Sequence, residues 1–327
     1  MTTLEIHMLP DPRLRLRAIT LDDAPAILEL VNTVDGHDFG LADLELADVL
    51  EELGTVDLER DAWMVTDGET PVATASLSGH HRVTYDIHLH VLPEWRRRGI
   101  GSMLLDRLEA GATAHLPEAP PDARVAIRGW TKGGWEPGLR FGARHGYAVA
   151  RRYLRMQIVM TDVPPAPAWP EGITVRAFRP GEDDVATHAA AQDAFADHWG
   201  FLPTPFEEWR RRIDRDDFDA SLWSLALDDG EIAGTSLSGR IPRSGWIGSL
   251  SVRRPWRRRG LARALLLHSF GQFWERGERT VGLGVDAGSL TGATRLYESV
   301  AMSVAESYDQ LEREIRPGRD LAVRSLG

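Results

Sequence analysis

Three consecutive arginines followed by a glycine occur twice in the chain, at residues 96–99 and 257–260. Each run lies where a strand-like apolar segment gives way to a segment with helical spacing of apolar residues. The first turn of a helix carries unpaired N–H groups and the positive end of the helix dipole, and both favour a bound phosphate. Glycine lets the backbone approach such a ligand closely, and arginine adds charge-assisted hydrogen bonds. The two runs therefore predict two sites for an anionic ligand.

Solvated surface charge could also account for the arginine runs. Most such runs have no other role, so one run alone would be weak evidence. A nucleic-acid surface is disfavoured because the chain has 38 Lys and Arg against 49 Asp and Glu, a net charge of −11. A dinucleotide site or a P-loop is disfavoured because neither GxGxxG nor GxxxxGK(S/T) follows a strand-like segment. The recurrence of the run in one sequence context favours the anion site.

The arginine runs belong to an internal duplication. The segment LHVLPEWRRRGIG at residues 89–101 aligns without a gap to LSVRRPWRRRGLA at residues 250–262. Further upstream, Ser-Leu-Ser-Gly at residues 76–79 recurs at residues 236–239, 160 positions later. Two more matches keep the same order and nearly the same spacing: Trp63 with Trp223, and Arg17-Ala18 with Arg176-Ala177. The repeat is as long as a whole domain, which indicates a duplicated domain rather than a solenoid.

A proline-rich segment separates the two repeats. Residues 162–170 read DVPPAPAWP, and four prolines within seven residues exclude a helix or a central strand there. We therefore predict a first domain at residues 1–161, a linker at 162–170 and a second domain at 171–327. A chain of 327 residues is long enough for two domains that each bury a core.

The same order of elements is predicted in each repeat. A strand and a helix are followed by three strands, then by a helix, a strand, a helix and a last strand. Asp-Gly pairs at residues 67–68 and 229–230 mark hairpin turns, and Gly277 marks the end of the second long helix. The long helices are predicted over residues 100–114 and 261–276. The predicted fold class is α+β, with two domains that each have a mixed, mostly antiparallel sheet flanked by helices.

Composition excludes several classes of function. The chain has no cysteine, so disulfides, thiolate metal sites and a cysteine nucleophile are excluded. Its single lysine, Lys132, disfavours Schiff-base chemistry. No apolar run approaches the length of a membrane span, and the first residues lack the basic and apolar regions of a secretory signal. We therefore expect a cytoplasmic protein that binds neither a membrane nor nucleic acid.

Both arginine runs resemble motif A of the GNAT N-acetyltransferases, (Q/R)-x-x-G-x-(G/A), which holds the pyrophosphate of acetyl-CoA in that family. The matching residues are Arg257, Gly260 and Ala262 in the second repeat and Arg96, Gly99 and Gly101 in the first. Because the resemblance extends over both repeats, it implies a tandem GNAT acetyltransferase. It also implies acetyl-CoA as the cofactor and CoA as the product.

The resemblance implies a set of cofactor contacts in each repeat. Main-chain groups of the strand before the motif would lie along the pantetheine arm, at Leu250, Ser251 and Val252 and at Leu89, His90 and Val91. The turn and the start of the helix would surround the diphosphate, at Arg257, Arg258, Arg259, Gly260, Leu261, Ala262 and Arg263. Their counterparts in the first repeat are Arg96, Arg97, Arg98, Gly99, Ile100, Gly101 and Ser102. Ser289 takes the place where many family members have an asparagine that contacts the cofactor.

The repeats differ where the resemblance implies catalysis. In the family, a segment N-x-x-(A/G)-x-x-x-Y-E-x-x-G-F follows the fifth strand, and its tyrosine protonates the departing thiolate. Residues 289–302 are similar to this segment and have Tyr297 at the acid position, with Ala301 and Met302 in place of the final Gly-Phe. The corresponding residue of the first repeat is Gly142, which has no hydroxyl. We therefore expect the second domain to be catalytic and the first to be non-catalytic.

The group that would accept the proton of an acceptor amine is less defined. Many GNAT enzymes use a glutamate on the fourth strand, but residues 246–252 contain no carboxylate. Ser249 and Ser251 on that strand could order a water molecule. Asp197 and His198 are the nearest ionisable candidates, although a structural role for both is slightly favoured.

Two further groups of residues have more than one interpretation. Asp86, His88 and His90 alternate along a strand and so share one face, but the histidines lack a third well-placed metal ligand, and no metal is expected. The region that sets acceptor specificity in the family is aromatic in the second repeat. These aromatic residues could form an apolar acceptor wall, but inter-domain packing is favoured for them: Trp199, Phe201, Phe206 and Trp209.

The expected activity is transfer of an acetyl group from acetyl-CoA to the primary amine of an unknown small molecule. The amine would attack the thioester directly, in the second domain. Two alternatives are a catalytically silent acetyl-CoA-binding or scaffold protein, and an enzyme that acetylates a protein amine. Because a duplication within one chain can replace the homodimer of single-domain relatives, we expect a monomer with two pseudo-dimeric domains.

Overall fold

The computed structural model describes residues 9, 11–40, 42, 44–80, 82–242, 244–289 and 292–322. Contacts between residues divide the chain into two compact units. Unit 1 comprises Met1–Ala150 and Asp309–Leu321, and unit 2 comprises Arg151–Tyr308 and Ala322–Gly327.

Unit 1 is a mixed sheet with helices packed against it. Its elements are β1 (Leu14–Ala18), α1 (Ala24–Phe39), α2 (Leu46–Leu53), β2 (Ala62–Asp67), β3 (Thr70–His80), β4 (Thr84–Val91), α3 (Ile100–Ala114), β5 (Val125–Lys132) and α4 (Glu136–Arg144). Strands β1 to β4 pair antiparallel in chain order, and β4 pairs with β5 in parallel through residues 84–87 and 126–129. Residues from Asp309 onward in the last strand of the chain follow β5 in this sheet.

Unit 2 repeats this arrangement. Its elements are β6 (Ala148–Val159, from Arg151 onward), β7 (Ile173–Ala177), α5 (Asp184–Phe195), α6 (Phe206–Arg210), β8 (Trp223–Asp228), β9 (Glu231–Ile241), β10 (Ser244–Val252), α7 (Leu261–Glu275), β11 (Thr280–Asp286), α8 (Ala293–Glu298) and the first residues of β12 (Ser303–Arg316). The strand order is β6-β11-β10-β9-β8-β7. Only the β10–β11 pair is parallel among the registered pairs of this unit.

The predicted α+β class is confirmed, with a mixed, mostly antiparallel sheet flanked by helices in each repeat. Helix α3 spans the predicted residues, and α7 ends at Glu275, with Gly277 in the left-handed conformation (φ 84°) that closes the helix. Helices α2 and α6 were not predicted. They have eight and five residues, too few for the helical period to be read from the sequence.

The compact units depart from the predicted domain boundaries of 1–161 and 171–327 in one respect. Each unit takes its sixth strand from the other repeat: β6 of the first repeat pairs with β11 of unit 2 through residues 153–159 and 280–286. Residues 309–316 of β12 belong to unit 1 in the same way. An exchange of equivalent strands keeps the number of strand pairs unchanged, so the repeat pattern alone cannot reveal it. The predicted linker, residues 162–170, has no regular secondary structure.

The core of unit 2 lies between α7 and the centre of the sheet. Phe270 and Phe273 of α7 pack with Met156 of β6 and Leu283 of β11, and all four side chains are at most 2% exposed. Burial of such side chains removes apolar surface from water and fixes α7 against the strands that flank the site described below. Within the described ranges, the helices are all too short or too polar to cross a membrane.

Candidate active site

The turn between β10 and α7 has a backbone that requires glycine. A short 3-10 helix, Arg254–Trp256, follows β10, and Gly260 then precedes α7 with φ 87°. Apart from the adjoining residues, no described atom lies within 4 Å of the place where a β-carbon of Gly260 would stand, so open space borders this glycine at the start of α7. This space and the unpaired N–H groups of the helix suit a phosphate. The turn of unit 1 matches it closely, because Gly99 precedes α3 with φ 86°.

The first arginine of each run stabilises the turn from within the protein. Arg257 donates from Nε to the Val252 carbonyl at 3.0 Å, from Nη1 to the Asp197 carboxylate at 2.7 Å and from Nη2 to the Ala194 carbonyl at 2.8 Å. Its guanidinium therefore ties the end of β10 to the end of α5. Arg96 makes the corresponding bonds in unit 1, to the Val91 carbonyl at 3.0 Å and to both oxygens of Asp38 at 2.7 Å.

The remaining arginines of the turn divide into two groups. Arg259 donates to the Glu171 carbonyl at 2.9 Å, and Arg98 donates to the Glu94 carbonyl at 2.9 Å. The exposed residues of the second group have no hydrogen bond or ion pair within the described part of the chain: Arg258, Arg263 and, in unit 1, Arg97. Arg258 and Arg263 are therefore the guanidinium groups of unit 2 that a phosphate at the turn could engage without breaking a contact.

Several of the predicted cofactor residues face the protein interior with their side chains. Leu261 and Ile100 are both 1% exposed, and the Ser251 hydroxyl is hydrogen-bonded to that of Thr235 at 2.8 Å. In unit 1, the Ser102 hydroxyl lies 3.1 Å from Nε2 of His145. Such residues can contact a ligand at the turn or along the strand mainly through their main-chain groups.

A cleft opens where β10 separates from β11. The parallel pairing ends at Ile247 and Leu283, and a register shift between Ile247 and Ser249 inserts Gly248 as an extra residue in the pairing with β9. A bulge of this kind leaves a backbone amide outside the ladder and bends the strand. In unit 1 the β4–β5 pairing also ends early, at Ile87, but β4 keeps an unbroken register with β3.

The cleft leads into a cavity of about 230 Å³. Its walls come from both edges of the cleft, the end of α5, the loop after β11 and helix α8. The residues that line it are Tyr153, Phe195, Asp197, His198, Trp199, Ile247, Gly248, Ser249, Leu250, Leu283, Gly284, Val285, Asp286, Gly288, Ser289, Ala293 and Tyr297. Because β10 continues from Leu250 to Val252, just before the turn that contains Arg257, one strand joins the cavity to this arginine-rich turn.

Tyr297 is the predicted acid, and its side chain reaches this cavity from α8. It is 8% exposed, and burial raises the pKa of its phenol to about 12. Its hydroxyl has no hydrogen bond to any residue that the structure describes. Ser289, a predicted cofactor contact, also lines the cavity, whereas the next two residues of the motif segment, Leu290 and Thr291, lie outside the described residues. A neutral phenol that faces an open cavity can donate a hydrogen bond to a ligand there.

Sequence comparison identifies the family to which these features belong. The model of the Acetyltransferase (GNAT) family matches residues 28–119 and 187–302, which together make up more than half of the chain. The chain belongs to the GNAT acetyltransferase family. It is therefore an acyltransferase of a family that uses acetyl-CoA as its cosubstrate, and it has an acceptor substrate.

Individual relatives support the tandem layout. A mycothiol acetyltransferase of Thermobispora bispora is 30% identical over 248 residues, which cover 73% of this chain and 79% of the relative. The crystal structure of a GCN5-related N-acetyltransferase from Sphaerobacter thermophilus is 37% identical, with a TM-score of 0.83 and coverage of 95% of this chain and 98% of that chain. A tandem GNAT protein from the clavulanic acid biosynthesis pathway shares the fold, with a TM-score of 0.70 at 18% identity and coverage of 94% and 100%. The predicted tandem GNAT layout, similar to that of mycothiol acetyltransferases, is confirmed.

The two predicted base candidates of this GNAT protein have different surroundings. The Asp197 carboxylate is ion-paired with both Arg254 and Arg257, and its side chain is 10% exposed. It therefore acts as a structural clamp. The half-buried His198 imidazole lines the cavity and packs edge-on against Phe195, 4.6 Å between ring centroids. Burial lowers the pKa of His198; Arg257 lowers it further, and Asp286 opposes this effect.

Sequence reasoning missed three residues around the cavity. Tyr153 reaches it from β6, a strand of the first repeat that the exchange brings into unit 2. Arg151, on the same strand, lies 4.3 Å from the centroid of the Trp199 ring and 3.7 Å from the Asp286 carboxylate. The motif of the second repeat contains no signal for residues 151 and 153, because they precede the linker. Asp286, at the end of the strand before the motif segment, could have been noted from its position.

The GNAT motifs of unit 1 surround a different environment. Gly142 is buried, and a β-carbon there would lie 2.8 Å from the Leu311 side chain, so Leu311 would have to move to make room for a side chain at the position that matches Tyr297. The Phe141 ring packs against the turn, 3.6 Å from the place of a β-carbon on Gly101. This copy has the turn and the arginine clamp, and it has no phenol at the position that matches Tyr297.

The three alternating residues on β4, Asp86, His88 and His90, lie in different surroundings. Asp86 accepts from Arg128 at 2.9 and 3.0 Å, and His88 lies 3.6 Å from the Glu52 carboxylate. Burial, together with repulsion from His88, lowers the pKa of His90 to about 4. Among the described residues, no group of three or more His, Asp or Glu side chains is placed to hold a metal ion.

The aromatic residues of the predicted acceptor region have separate roles. Trp209 is 3% exposed and packs in an aromatic core with Phe178 and Trp223, and Phe206 packs against this core. Trp199 instead lines the cavity. This packing lies within unit 2.

Proposed function

We propose that the second repeat transfers an acetyl group from acetyl-CoA to the primary amine of a small molecule, by direct attack of the amine on the thioester. The observation that carries this proposal is the position of Tyr297. Its neutral phenol lines a cavity at the split between β10 and β11 and has no hydrogen-bond partner among the described residues. Strand β10 connects this cavity to an open helix N-terminus that two unengaged arginines flank. In acetyl-CoA the pantetheine arm separates the thioester from the diphosphate, and the cavity and the turn are placed to suit these two groups.

The chain contributes three functions to the proposed reaction. The amides after Gly260, with Arg258 and Arg263, would bind the diphosphate of acetyl-CoA, as the open space at this turn supports. The bulge at Gly248 would direct a main-chain N–H toward the thioester carbonyl and stabilise the charge that develops on its oxygen. The Tyr297 hydroxyl would donate a hydrogen bond to the sulfur as the C–S bond breaks. Because the chain has no cysteine, an acyl-enzyme intermediate on a cysteine thiol is excluded.

The cavity supports an acceptor of limited size that carries an ammonium group. Its lining, as far as the structure describes it, includes the carboxylates of Asp197 and Asp286; arginines outside the lining pair with both, and the remaining carboxylate lone pairs can accept from an ammonium group. Trp199, Phe195 and Tyr153 add aromatic faces, on which an ammonium or an apolar group can pack. The relation to mycothiol acetyltransferases makes mycothiol without its acetyl group one acceptor to test. Amino sugars, polyamines and aminoglycoside antibiotics are others.

For the first repeat we propose acetyl-CoA binding without catalysis. The left-handed Gly99, the Arg96 clamp and the unengaged Arg97 repeat the anion turn of unit 2. Gly142 leaves no group to assist departure of the sulfur.

We also propose that the chain acts as a monomer with pseudo-dimeric repeats, which light scattering of the free protein would test.

An acceptor screen tests the proposed function. Full-length protein is mixed with acetyl-CoA and one amine at a time, and thiol release is followed with a chromogenic thiol reagent. Because the chain has no cysteine, the protein adds no thiol of its own to the signal. We expect release that depends on one class of small amine, with the acetylated product identified by mass spectrometry. Tight acetyl-CoA binding with no release for any amine would instead favour a silent binding protein, and release with peptides alone would favour a protein substrate.

A further inference from the structure

The cavity of unit 2 has a second titratable side chain without a hydrogen-bond or ion-pair partner among the described residues, His198. Within the ranges that the structure describes, neither ring nitrogen of His198 has a hydrogen-bond or ion-pair partner, which is also true of the Tyr297 hydroxyl. The two carboxylates in the lining are held in place. Asp197 is paired with two arginines, and Asp286 accepts the Gly288 N–H at 2.8 Å and lies near Arg151.

On the basis of the proposed acetyl transfer, we propose that His198 is the catalytic base that takes the proton from the acceptor amine. The imidazole stands in the same cavity as Tyr297, at the end of α5, and the edge of Phe195 supports its ring. Its backbone N–H donates to the Phe195 carbonyl at 2.8 Å, and its carbonyl accepts from the Phe201 N–H at 3.1 Å. The tight turn therefore fixes the backbone from which the ring extends.

The two unengaged groups have the protonation states that the reaction needs. Burial lowers the pKa of His198, so the imidazole is neutral at pH 7 and can accept a proton. Burial raises the pKa of Tyr297 to about 12, so the phenol keeps its proton. A pair of groups whose environments move their pKa values in opposite directions is typical of an acid and a base that act in one reaction.

The proposed step balances in protons and electron pairs. The acceptor loses its ammonium proton to solvent, and the lone pair of the free amine forms the N–C bond to the thioester carbonyl carbon while the C=O π pair moves to oxygen. His198 takes one proton from that nitrogen, which becomes acidic once it is bonded to the carbonyl carbon; the C=O bond then re-forms, the C–S bond breaks, and its electron pair stays on sulfur. The thiolate, while hydrogen-bonded to Tyr297, takes that proton from the imidazolium through water. The products are the amide and CoA, and His198 is neutral again.

The charged and titratable groups around His198 define its expected pH dependence. They come from every element that borders the cavity: Arg257 after β10, Asp286 at the end of β11, Tyr297 on α8, Tyr153 on β6 and Asp197 beside it in the chain. The His198 imidazole is the side chain of this cavity whose ordinary pKa, about 6.5, lies nearest neutral pH, and burial lowers it. At saturating amine, kcat should therefore fall as the pH drops below about 6.5, the ordinary histidine pKa.

The test compares full-length His198→Gln and His198→Ala with His268→Gln, using the amine found in the acceptor screen. His268 is a matched control, because it is also half-buried with a pKa that burial lowers, and it lies on α7 against Trp169. We expect His198→Gln to lower kcat about 100-fold, to leave the KM for acetyl-CoA within about threefold and to abolish the acidic limb. Added imidazole should restore part of the activity of His198→Ala, and His268→Gln should behave like wild type.

A His198→Gln protein with kcat within about threefold of wild type, or with its acidic limb intact, would overturn the proposal. If the glutamine variant does not fold, His198→Ala decides the matter through imidazole rescue: recovery supports the base, and no recovery refutes it. A wild-type protein that acetylates no amine would remove the proposed function itself. Wild-type activity with unaffected His198 variants would remove only the base.

Discussion

The replacement Tyr297→Phe removes a hydroxyl that has no hydrogen-bond partner among the described residues. Burial raises the pKa of this phenol to about 12, whereas a thiol has a pKa of about 8.5. Complete proton transfer from phenol to thiolate would thus be uphill by about 3.5 pH units, or about 5 kcal/mol. We therefore expect Tyr297 to act as a hydrogen-bond donor to the sulfur and not as the group that finally protonates it.

The expected size of the effect follows from this role. Removing one hydrogen-bond donor to a developing charge typically costs roughly 10²- to 10³-fold in kcat, and a single neutral donor belongs at the lower end. We expect Tyr297→Phe to lower kcat about 100-fold. The KM for acetyl-CoA should change little, because the charge on sulfur develops only as the C–S bond breaks. Stability should also change little, because the hydroxyl makes no hydrogen bond to the described residues.

The assay is thiol release from acetyl-CoA at saturating amine, measured between about pH 6 and pH 10. Tyr308→Phe is a matched control, since that hydroxyl donates to the Glu306 carboxylate at 2.8 Å and does not line the cavity. A loss below about threefold, or a KM that rises as much as kcat falls, would refute the reasoning. So would a fall in wild-type kcat between about pH 8 and pH 10 that Tyr297→Phe abolishes, because the phenol would then ionise in that range.

Three further predictions concern the structure around the site and the core of unit 1. Asp197→Ala should destabilise unit 2 by about 2 kcal/mol in urea unfolding, because the part-buried Arg257 loses its carboxylate partner. The exposed Arg254 is hydrated and should add little to this cost, and an unchanged urea midpoint would contradict the structural role of Asp197. Gly260→Ala should cost roughly 1–2 kcal/mol for the left-handed φ of 87° and weaken acetyl-CoA binding in calorimetry, and full retention of both properties would count against the turn. Burial lowers the pKa of His115, but hydrogen bonds to Glu118 at 3.0 Å and Asp61 at 2.8 Å outweigh burial and raise this pKa. The protonated His115 therefore stabilises the folded protein fully below about pH 6.5, and this contribution is lost as the pH rises through the folded pKa. The urea midpoint of unit 1 should therefore fall as the pH rises above about 6.5 in the wild type, and this fall should be absent in His115→Gln.

Much of the fold could be predicted from the sequence, because each repeat has clear local signals. Two Arg-Arg-Arg-Gly runs at matching positions predicted the turns, and the apolar spacing after them predicted α3 and α7. The exchange of β6 and the end of β12 could not be predicted. The two strands are equivalent in each repeat, and pairing between strands is a long-range choice that hydrophobic alternation does not encode.

The candidate site was predicted in part. The motif register pointed to Tyr297, and the structure has it in the lining of the cavity that His198 also lines. The sequence did not reveal that Arg257 uses its guanidinium to tie Asp197 and Val252 together, because a motif gives residue types and spacing but no side-chain partners. Nor did it reveal Tyr153, which enters the cavity only through the exchanged strand.

The comparison of the two repeats separates what holds the fold from what performs the proposed chemistry. Both copies keep the left-handed glycine and the arginine clamp, so these features are needed for the turn whether or not a reaction follows. The unbroken register of β4 and the buried Gly142 distinguish unit 1, whereas the bulge at Gly248 and the phenol of Tyr297 distinguish unit 2. A tyrosine at Gly142 would place a buried side chain against Leu311, whose side chain would have to move. On the proposed function, one copy of the duplication lacks the reactive phenol, while its sheet still receives and supplies a strand.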